Sequence, residues 1–483
     1  MDLNYFKTAI SHHRNGNWNK AKEIYEHLLK SNPNNYAVLQ NYGPLLSQLK
    51  EYKLAKNIFK KCLELQPKDS LLLYNYAKFY HDQKIFDKAI KFYNDSFYIN
   101  PKNDLSQYNI GNIYLQKGEY KEAIEYFTKS LKINPKNFFA YNNIGLAYKR
   151  MGDFEEALKF YKEAINLNNE FADGHTNYGT VLLKLNQLEL GFEEYEWRKK
   201  SKTFSDYQSY RDLKIQTPIW KGEEIIGKTI LIFAEQGIGD LIQFSRYLFV
   251  LKEKYKCKVI LKLKQDLSSF FNEKDFRIIP EDEKIPHHDI HNHLASLPGI
   301  FYKKYKNFPK TVNFIRENSS KTKKWSDILN KYKGLKIGIN SHSTATVGER
   351  IIPLNIFNYL TKIKKINFFI IQKDFDQNKL KFINDNLNVH YFKDMDSSGK
   401  PFEDTIGIVK NLDLVITADT SLAHLSATLE KPTWVALPFV SDWRWFKQEK
   451  KSVWYKSVSL YRQKKIGDWD SVFKIMEKDL KKI

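Results

Sequence analysis

One spacing constrains this chain more than any other feature. Proline recurs every 34 residues, at Pro33, Pro67, Pro101 and Pro135. Alanine keeps the same period at Ala21, Ala55, Ala89, Ala123 and Ala157, with Gly191 in the next place. So do the aromatics Tyr25, Phe59, Tyr93, Phe127, Tyr161 and Tyr195, and the small residues Gly43, Ala77, Gly111, Gly145 and Gly179. Several markers held in one register exclude coincidence. A period of this length denotes a stack of supersecondary units, none able to bury its apolar face alone. The small residues let two helices approach, the aromatic fills the space between neighbouring units, and proline turns the chain because it cannot continue a helix. The expectation is an α-solenoid in which each unit touches only its neighbours.

A small residue, then Ala-x3-aromatic, then Pro within this period is the tetratricopeptide pattern. The repeats run 2–35, 36–69, 70–103, 104–137, 138–171 and 172–200, so the array is expected over 1–200. The last repeat is degenerate, with Gly191 for Ala and no proline after it. One more column keeps the period: Asn41, Asn75, Asn109, Asn143 and Asn177. In this architecture it lines a concave groove, and an amide side chain matches the donors and acceptors of a peptide backbone. The column resembles the asparagine ladder of the O-linked N-acetylglucosamine transferases, which implies an extended polypeptide as partner. Asn is also common at this column in tetratricopeptide repeats generally, so both readings stand.

After Arg198 the pattern changes. Residues 201–227, with Pro218, Trp220 and Gly222, read as a connecting segment. Apolar runs at Thr229–Ala234, Val259–Leu263, Arg277–Ile279, Lys336–Asn340, Phe368–Ile371, Leu414–Thr417 and Thr433–Leu437 read as strands. Helical patterns lie at Leu241–Lys254, Leu354–Lys364, Phe402–Asn411 and Leu422–Thr428. The alternation predicts parallel α/β sheets in two lobes, 228–330 and 331–483. The basic stretch Lys303 to Lys336 would include the link between them.

Two turns carry candidate chemistry. Glu235-Gln236-Gly237-Ile238-Gly239-Asp240 follows the first strand. It lacks the third glycine and the ribose-binding acid of a dinucleotide site. Gly237 and Gly239 then serve a sharp turn beneath a ligand. Asp240 reads as a helix N-cap or as a general base facing a cleft. Asp419-Thr420-Ser421-Leu422-Ala423-His424 follows another strand and opens a helix. It reads as a well-capped helix or as an anion site built from free N–H groups and hydroxyls.

These two turns, with Lys431-Pro432-Thr433-Trp434, resemble the family 9 glycosyltransferases, whose best-known members are the bacterial ADP-heptose transferases. The tail Leu437-Pro438, Asp442-Trp443-Arg444-Trp445 and Trp454-Tyr455 is similar to a subgroup with N-terminal tetratricopeptide repeats. The resemblance implies a GT-B fold with two Rossmann-like lobes, the first taking the acceptor and the second the nucleotide sugar. It implies inverting transfer from a nucleotide diphosphate sugar, with no metal and no cofactor. It assigns the acceptor base to Asp240 and the donor diphosphate to Arg350, Asp419, Thr420, Ser421 and His424. Ser421 departs from the usual glycine, and Asn340–Gly348 departs from the expected loop. The acceptor would be a protein or glycan recruited by the repeats. The alternative is a non-catalytic scaffold whose lobes are a degenerate transferase.

The formal charge of +22 is spread over both halves, 29 Lys and Arg against 23 Asp and Glu in 1–200 and 49 against 33 in 201–483. No basic stripe interleaved with stacking aromatics marks a nucleic-acid module. The two cysteines, Cys62 and Cys257, are too few and too far apart for a disulfide framework or metal site. No run of about 18 apolar residues suggests a membrane span, and the start lacks a signal-peptide pattern. A cytoplasmic location is the expectation.

Overall fold

The computed structural model describes residues 3–202, 213, 215–263, 265–272, 274, 276–310, 312–342, 350–373, 376–397, 399–447 and 449–483. Most of the connecting segment 201–227, at 203–212 and 214, lies outside the described residues. So does most of the Asn340–Gly348 loop, at 343–349. The chain forms two compact units, Met1–Phe171 and Ala172–Ile483.

The first unit is five helix pairs: α1 Leu3–Arg14 and α2 Trp18–Ser31, α3 Tyr36–Gln48 and α4 Tyr52–Leu65, α5 Ser70–Asp82 and α6 Phe86–Ile99, α7 Asp104–Lys117 and α8 Tyr120–Ile133, α9 Phe138–Met151 and α10 Phe154–Leu167. The helices α2, α4, α6 and α8 each end two residues before a periodic proline. The side chains of Asn35, Asp69, Asn103 and Asn137 then cap the next helix by accepting from backbone N–H groups. These caps form another column of the same period, and the sequence reading did not pick it out. The alanine and aromatic columns are buried throughout. The small column is small for a steric reason. A methyl on Gly111 would sit 2.7 Å from the Phe127 ring, and one on Gly145 2.9 Å from Tyr161.

The second unit opens with α11 Ala172–Lys184 and α12 Leu188–Tyr195. The period counts this pair as the sixth repeat, but it belongs to the compact unit that contains the sheets. The first sheet holds β1 Thr229–Phe233, β2 Lys258–Leu263, β3 Arg277–Pro280 and β4 Ile290–His293, in the order β3-β2-β1-β4. The second holds β5 Leu335–Asn340, β6 Ile366–Ile370, β7 Val389–Tyr391, β8 Leu414–Ala418, β9 Thr433–Leu437 and β10 Val458–Arg462, in the order β10-β9-β8-β5-β6-β7. Every strand pairing between these strands is parallel. The helices are α13 Ile238–Phe244, α14 Arg246–Tyr255, α15 Leu297–Tyr305, α16 Ser319–Leu329, α17 Asn358–Thr361, α18 Gln377–Asn384, α19 Glu403–Lys410, α20 Ser421–Thr428 and α21 Trp469–Leu480. The helix α16, which the sequence reading counted with 228–330, packs on α19. There Trp325 and Lys321 both donate to the Asp404 carboxylate.

The second sheet has the strand order of doubly wound α/β folds, and the first has its opening four strands. In such sheets the order reverses between the first strand and its far neighbour. The loops leaving those two strands splay apart there and leave a crevice at their carboxyl ends. Here the crevices fall after β1 and β4 and after β5 and β8. Both turns singled out by sequence lie at these points. Among the described residues, no helix is long and apolar enough to cross a membrane.

Candidate functional site

Glu235 starts the loop after β1, and its carboxylate is consumed at once. It accepts from the backbone N–H groups of Leu294 and Ala295, each at 3.2 Å, after β4. This ties the two sides of the first crevice together. Gly237 is the N-cap of α13, with φ −69°. Asp240 sits in the first turn of the helix, so the structure excludes the N-cap reading of Asp240. Neither Gly237 nor Gly239 adopts the left-handed region. Gly239 is needed for another reason: a Cβ there would fall 3.0 Å from Cδ2 of His424. The glycine loop and the Asp419–His424 turn therefore touch, and α13 packs directly on α20.

In the second crevice, Thr420 is the N-cap of α20 but makes no side-chain cap bond. Its hydroxyl lies 3.2 Å from that of Thr417 and 3.5 Å from Asn340 Oδ1, across the point where β5 and β8 diverge. The well-capped reading of this turn therefore fails. Asp419 accepts from Trp445 Nε1 at 2.7 Å, and its other carboxylate oxygen is buried without a hydrogen-bond partner. His424 is buried, stacked on Trp445 with ring centroids 5.3 Å apart, and 3.1 Å from the Tyr455 hydroxyl through Nδ1. Burial, reinforced by Arg444 and Arg246, pushes its imidazole down to about 3. It is neutral near pH 7 and can act only as a hydrogen-bonding group.

The turn Ser441–Phe446 adds groups to which the sequence reading gave no role. Arg444 joins the loop after β1 to its own turn after β9. Its NH2 donates to Asp240 Oδ1 and, at 3.1 Å, to Gln236 Oε1, while its NH1 donates to Asp442 Oδ1 at 2.8 Å. Arg350, exposed, donates from NH2 to Asp442 Oδ2 at 3.3 Å. The electrostatics follow from this crowding. Burial raises the Asp240 carboxyl, Arg444 pulls it back, and the net shift is upward. Burial likewise raises Asp419 against the pull of Arg350. Burial alone would raise Asp442 too, but Arg444 and Arg350 together hold it well below the usual carboxylate range. Lys184 of α11 also donates into this turn, to Ser441 Oγ, to Asp442 O at 3.2 Å and to Phe446 O at 2.9 Å. Beside Asp240 is a recess lined by Glu235, Gln236, Phe244 and Leu294 that is too narrow for a water molecule.

Asp240, Arg350, Asp419, Thr420 and His424 thus belong to one connected group with Gly239, and Ser421 opens α20 beside it. The asparagine column lies on α3, α5, α7, α9 and α11. Asn41, Asn75, Asn109, Asn143 and Asn177 are all half-buried. Asn109 donates to Tyr74 Oη at 2.8 Å, and Asn143 donates to Tyr108 Oη at 3.1 Å and Asn112 Oδ1 at 2.8 Å. Asn41 donates back to Ala37 O at 2.8 Å. Part of the amide capacity of the column is used inside the molecule.

Family models described as tetratricopeptide repeats match residues 4–35, 36–69, 58–91 and 138–171, and one described as a TPR repeat matches 111–152. The helix pairs of the first unit are tetratricopeptide repeats. Protein FlbA of Caulobacter vibrioides is 22% identical over 314 residues, covering 60% of this chain and 52% of that protein. The chain spans about half the length of that curated relative. Among solved structures, that of MamA is 26% identical and covers 36% of this chain and 98% of that one, with a TM-score of 0.32. That of PilF from Pseudomonas aeruginosa is 19% identical, covers 44% and 96%, and has a TM-score of 0.36.

Proposed function

We propose that residues 228–483 form an inverting, metal-independent glycosyltransferase with a GT-B fold. It would move a hexosyl or heptosyl group from a nucleotide diphosphate sugar to a protein or glycan acceptor recruited by the repeats. The observation that carries this reading is the meeting of the two crevices. Asp240 on the first faces Arg444, which shares Asp442 with Arg350 beside the uncapped N-terminus of α20. In the reaction, the acceptor hydroxyl gives its proton to Asp240 as its oxygen bonds to the sugar C1. The C1–O bond to the diphosphate breaks, and the nucleoside diphosphate leaves with the electron pair. Cationic side chains and free N–H groups are the means to stabilise that leaving charge without a metal. Arg350, Thr420, Ser421 and the N-terminus of α20 are assigned to the diphosphate. Asp419 and His424 hold the wall through Trp445 and Tyr455. A nucleotide-sugar donor goes with a cytoplasmic location.

The test is a thermal-shift screen of the full chain with UDP, GDP and ADP, followed by transfer assays with the matching sugars. A ligand at a hundred times its Kd stabilises by about 2.7 kcal/mol. Asp240→Ala should abolish transfer while the nucleotide still binds; full activity in that variant removes Asp240 as the base. A non-catalytic scaffold is the second reading, and the closed recess beside Asp240 favours it. The absence of any shift with all three nucleotides would decide for the scaffold.

A further inference from the structure

Arg444 is committed to the wrong partner for a resting transferase. Its fork spans Asp240, Gln236 and Asp442, and its Nε is buried with no hydrogen-bond partner. The Arg444 side chain is 11% exposed and the Asp240 side chain 21%. A carboxylate tied to an arginine is a weak base, because the cation stabilises the charged form. The same carboxylate also opposes any anion that approaches Arg444. Asp240 can act as a free base, and Arg444 can meet an anion, only when the two part.

We propose that Arg444 is a donor-responsive switch for Asp240: a nucleoside diphosphate entering beside α20 takes the guanidinium, and the freed carboxylate becomes competent as the acceptor base. The proposal rests on the nucleotide-sugar reading above and adds an order of events to it. The base is armed only after the donor is seated, so no proton is drawn from an acceptor when there is no sugar to transfer. The surroundings support the exchange. Arg444 lies over the Trp443 ring at 4.8 Å and the Phe244 ring at 5.5 Å, so its planar head can slide between partners while it keeps aromatic cover. Asp442 accepts from both Arg444 and Arg350, so it stays as a shared anchor that keeps the two guanidiniums side by side where a diphosphate would enter. Burial raises the proton affinity of Asp240, and Arg444 is the largest influence opposing it. Withdrawing Arg444 therefore shifts Asp240 in the direction a general base requires.

Linkage makes the proposal testable by binding alone. If Asp240 and the diphosphate compete for one guanidinium, removing the carboxylate must tighten nucleotide binding. Isothermal titration of the full chain with UDP, GDP and ADP would compare wild type with Asp240→Asn, Arg444→Gln and the double variant. Asp240→Ala would be read alongside in case the amide variant does not fold. The nucleotide that binds wild type should bind Asp240→Asn roughly tenfold tighter, within the scale of coupled sites. It should bind Arg444→Gln at least about tenfold more weakly, and in the double variant the tightening should vanish. If the Asp240 variants fold but bind the nucleotide no tighter than wild type, the pair is only structural and the switch is wrong while the nucleotide site stands. If none of the three nucleotides binds any of the proteins, the nucleotide reading falls and the switch with it.

Discussion

Lys184 is a cation almost without solvent, 3% exposed, and it donates hydrogen bonds to one hydroxyl and two carbonyls. Burial, with Arg462 adding repulsion, pushes its amine from 10.5 down to about 7, against the pull of Asp442 and Asp419. The pH dependence follows. Below about pH 7 both folded and unfolded chains carry the proton, and the folded state bears the full burial penalty. Above that, the folded amine releases its proton while the unfolded one keeps it until about pH 10.4. The unfolded state then binds more protons, so stability rises with pH. Integrated from about pH 7 to about pH 9.5, the gain is about 3 kcal/mol. In Lys184→Met this gain should be absent. The absolute stability of the variant is a poor readout, because the acceptors left behind cost about 1–3 kcal/mol each. The slope is free of that offset. Urea unfolding followed by tryptophan emission reports on the right unit, since eight of the nine tryptophans lie beyond residue 171. Wild-type and variant curves that run parallel between those pH values would show that Lys184 keeps an ordinary amine, and the burial argument would fail.

The first unit supplies a stabilising change. The Tyr93 and Tyr161 hydroxyls are buried without partners, so Tyr93→Phe and Tyr161→Phe should each raise stability by about 1 kcal/mol in thermal unfolding. Gly239→Ala drives a methyl to 3.0 Å from His424, and should cost about 1–3 kcal/mol and weaken whatever ligand protects the chain in the thermal-shift screen. Asn143→Ala removes the bonds to Tyr108 and Asn112. It should lower hydrogen-exchange protection in α7 and α9 by about 1–2 kcal/mol, so any loss of partner capture in this variant must be judged against that change.

The repeat array was legible because its signals are local and recur. One residue type in one register fixes helix ends, helix approach and the packing aromatic together. The sheets were legible where strands are buried on both faces and read as apolar runs, as at Ile230–Phe233. They were missed where that signal fails. The strand β4 reads Ile-His-Asn-His, and β7 has only three residues. The two turns were found because glycine and hydroxyl residues mark strand-to-helix loops. The part played by Arg444 is not legible in the sequence, because nothing local says which carboxylates a long side chain will reach. Its partners lie two residues away at Asp442 and 204 residues away at Asp240. Only the tertiary fold brings Asp240 to Arg444.

The aromatic column shows how a structural repeat was turned to another use at its end. Tyr25, Tyr93 and Tyr161 bury hydroxyls that bond to nothing, so in those repeats the ring matters and the hydroxyl is a burden. Tyr195 occupies the same column, is 4% exposed, and accepts from Gln236 Nε2 at 2.8 Å. Gln236 in turn accepts from Arg444, which holds Asp240. The last helix pair is thus wired by side-chain bonds to the candidate base, and Lys184 of the same pair grips the turn that carries Arg444. A helix pair that only continued the array would have no need of that hydroxyl. The same substitution should therefore have opposite signs at two places in one column. Tyr161→Phe removes an unsatisfied group and stabilises, whereas Tyr195→Phe strands the Gln236 amide and should cost about 1–3 kcal/mol. Thermal unfolding of the two variants decides it. If both shift stability in the same direction, the Tyr195 hydroxyl is only another passenger of the repeat.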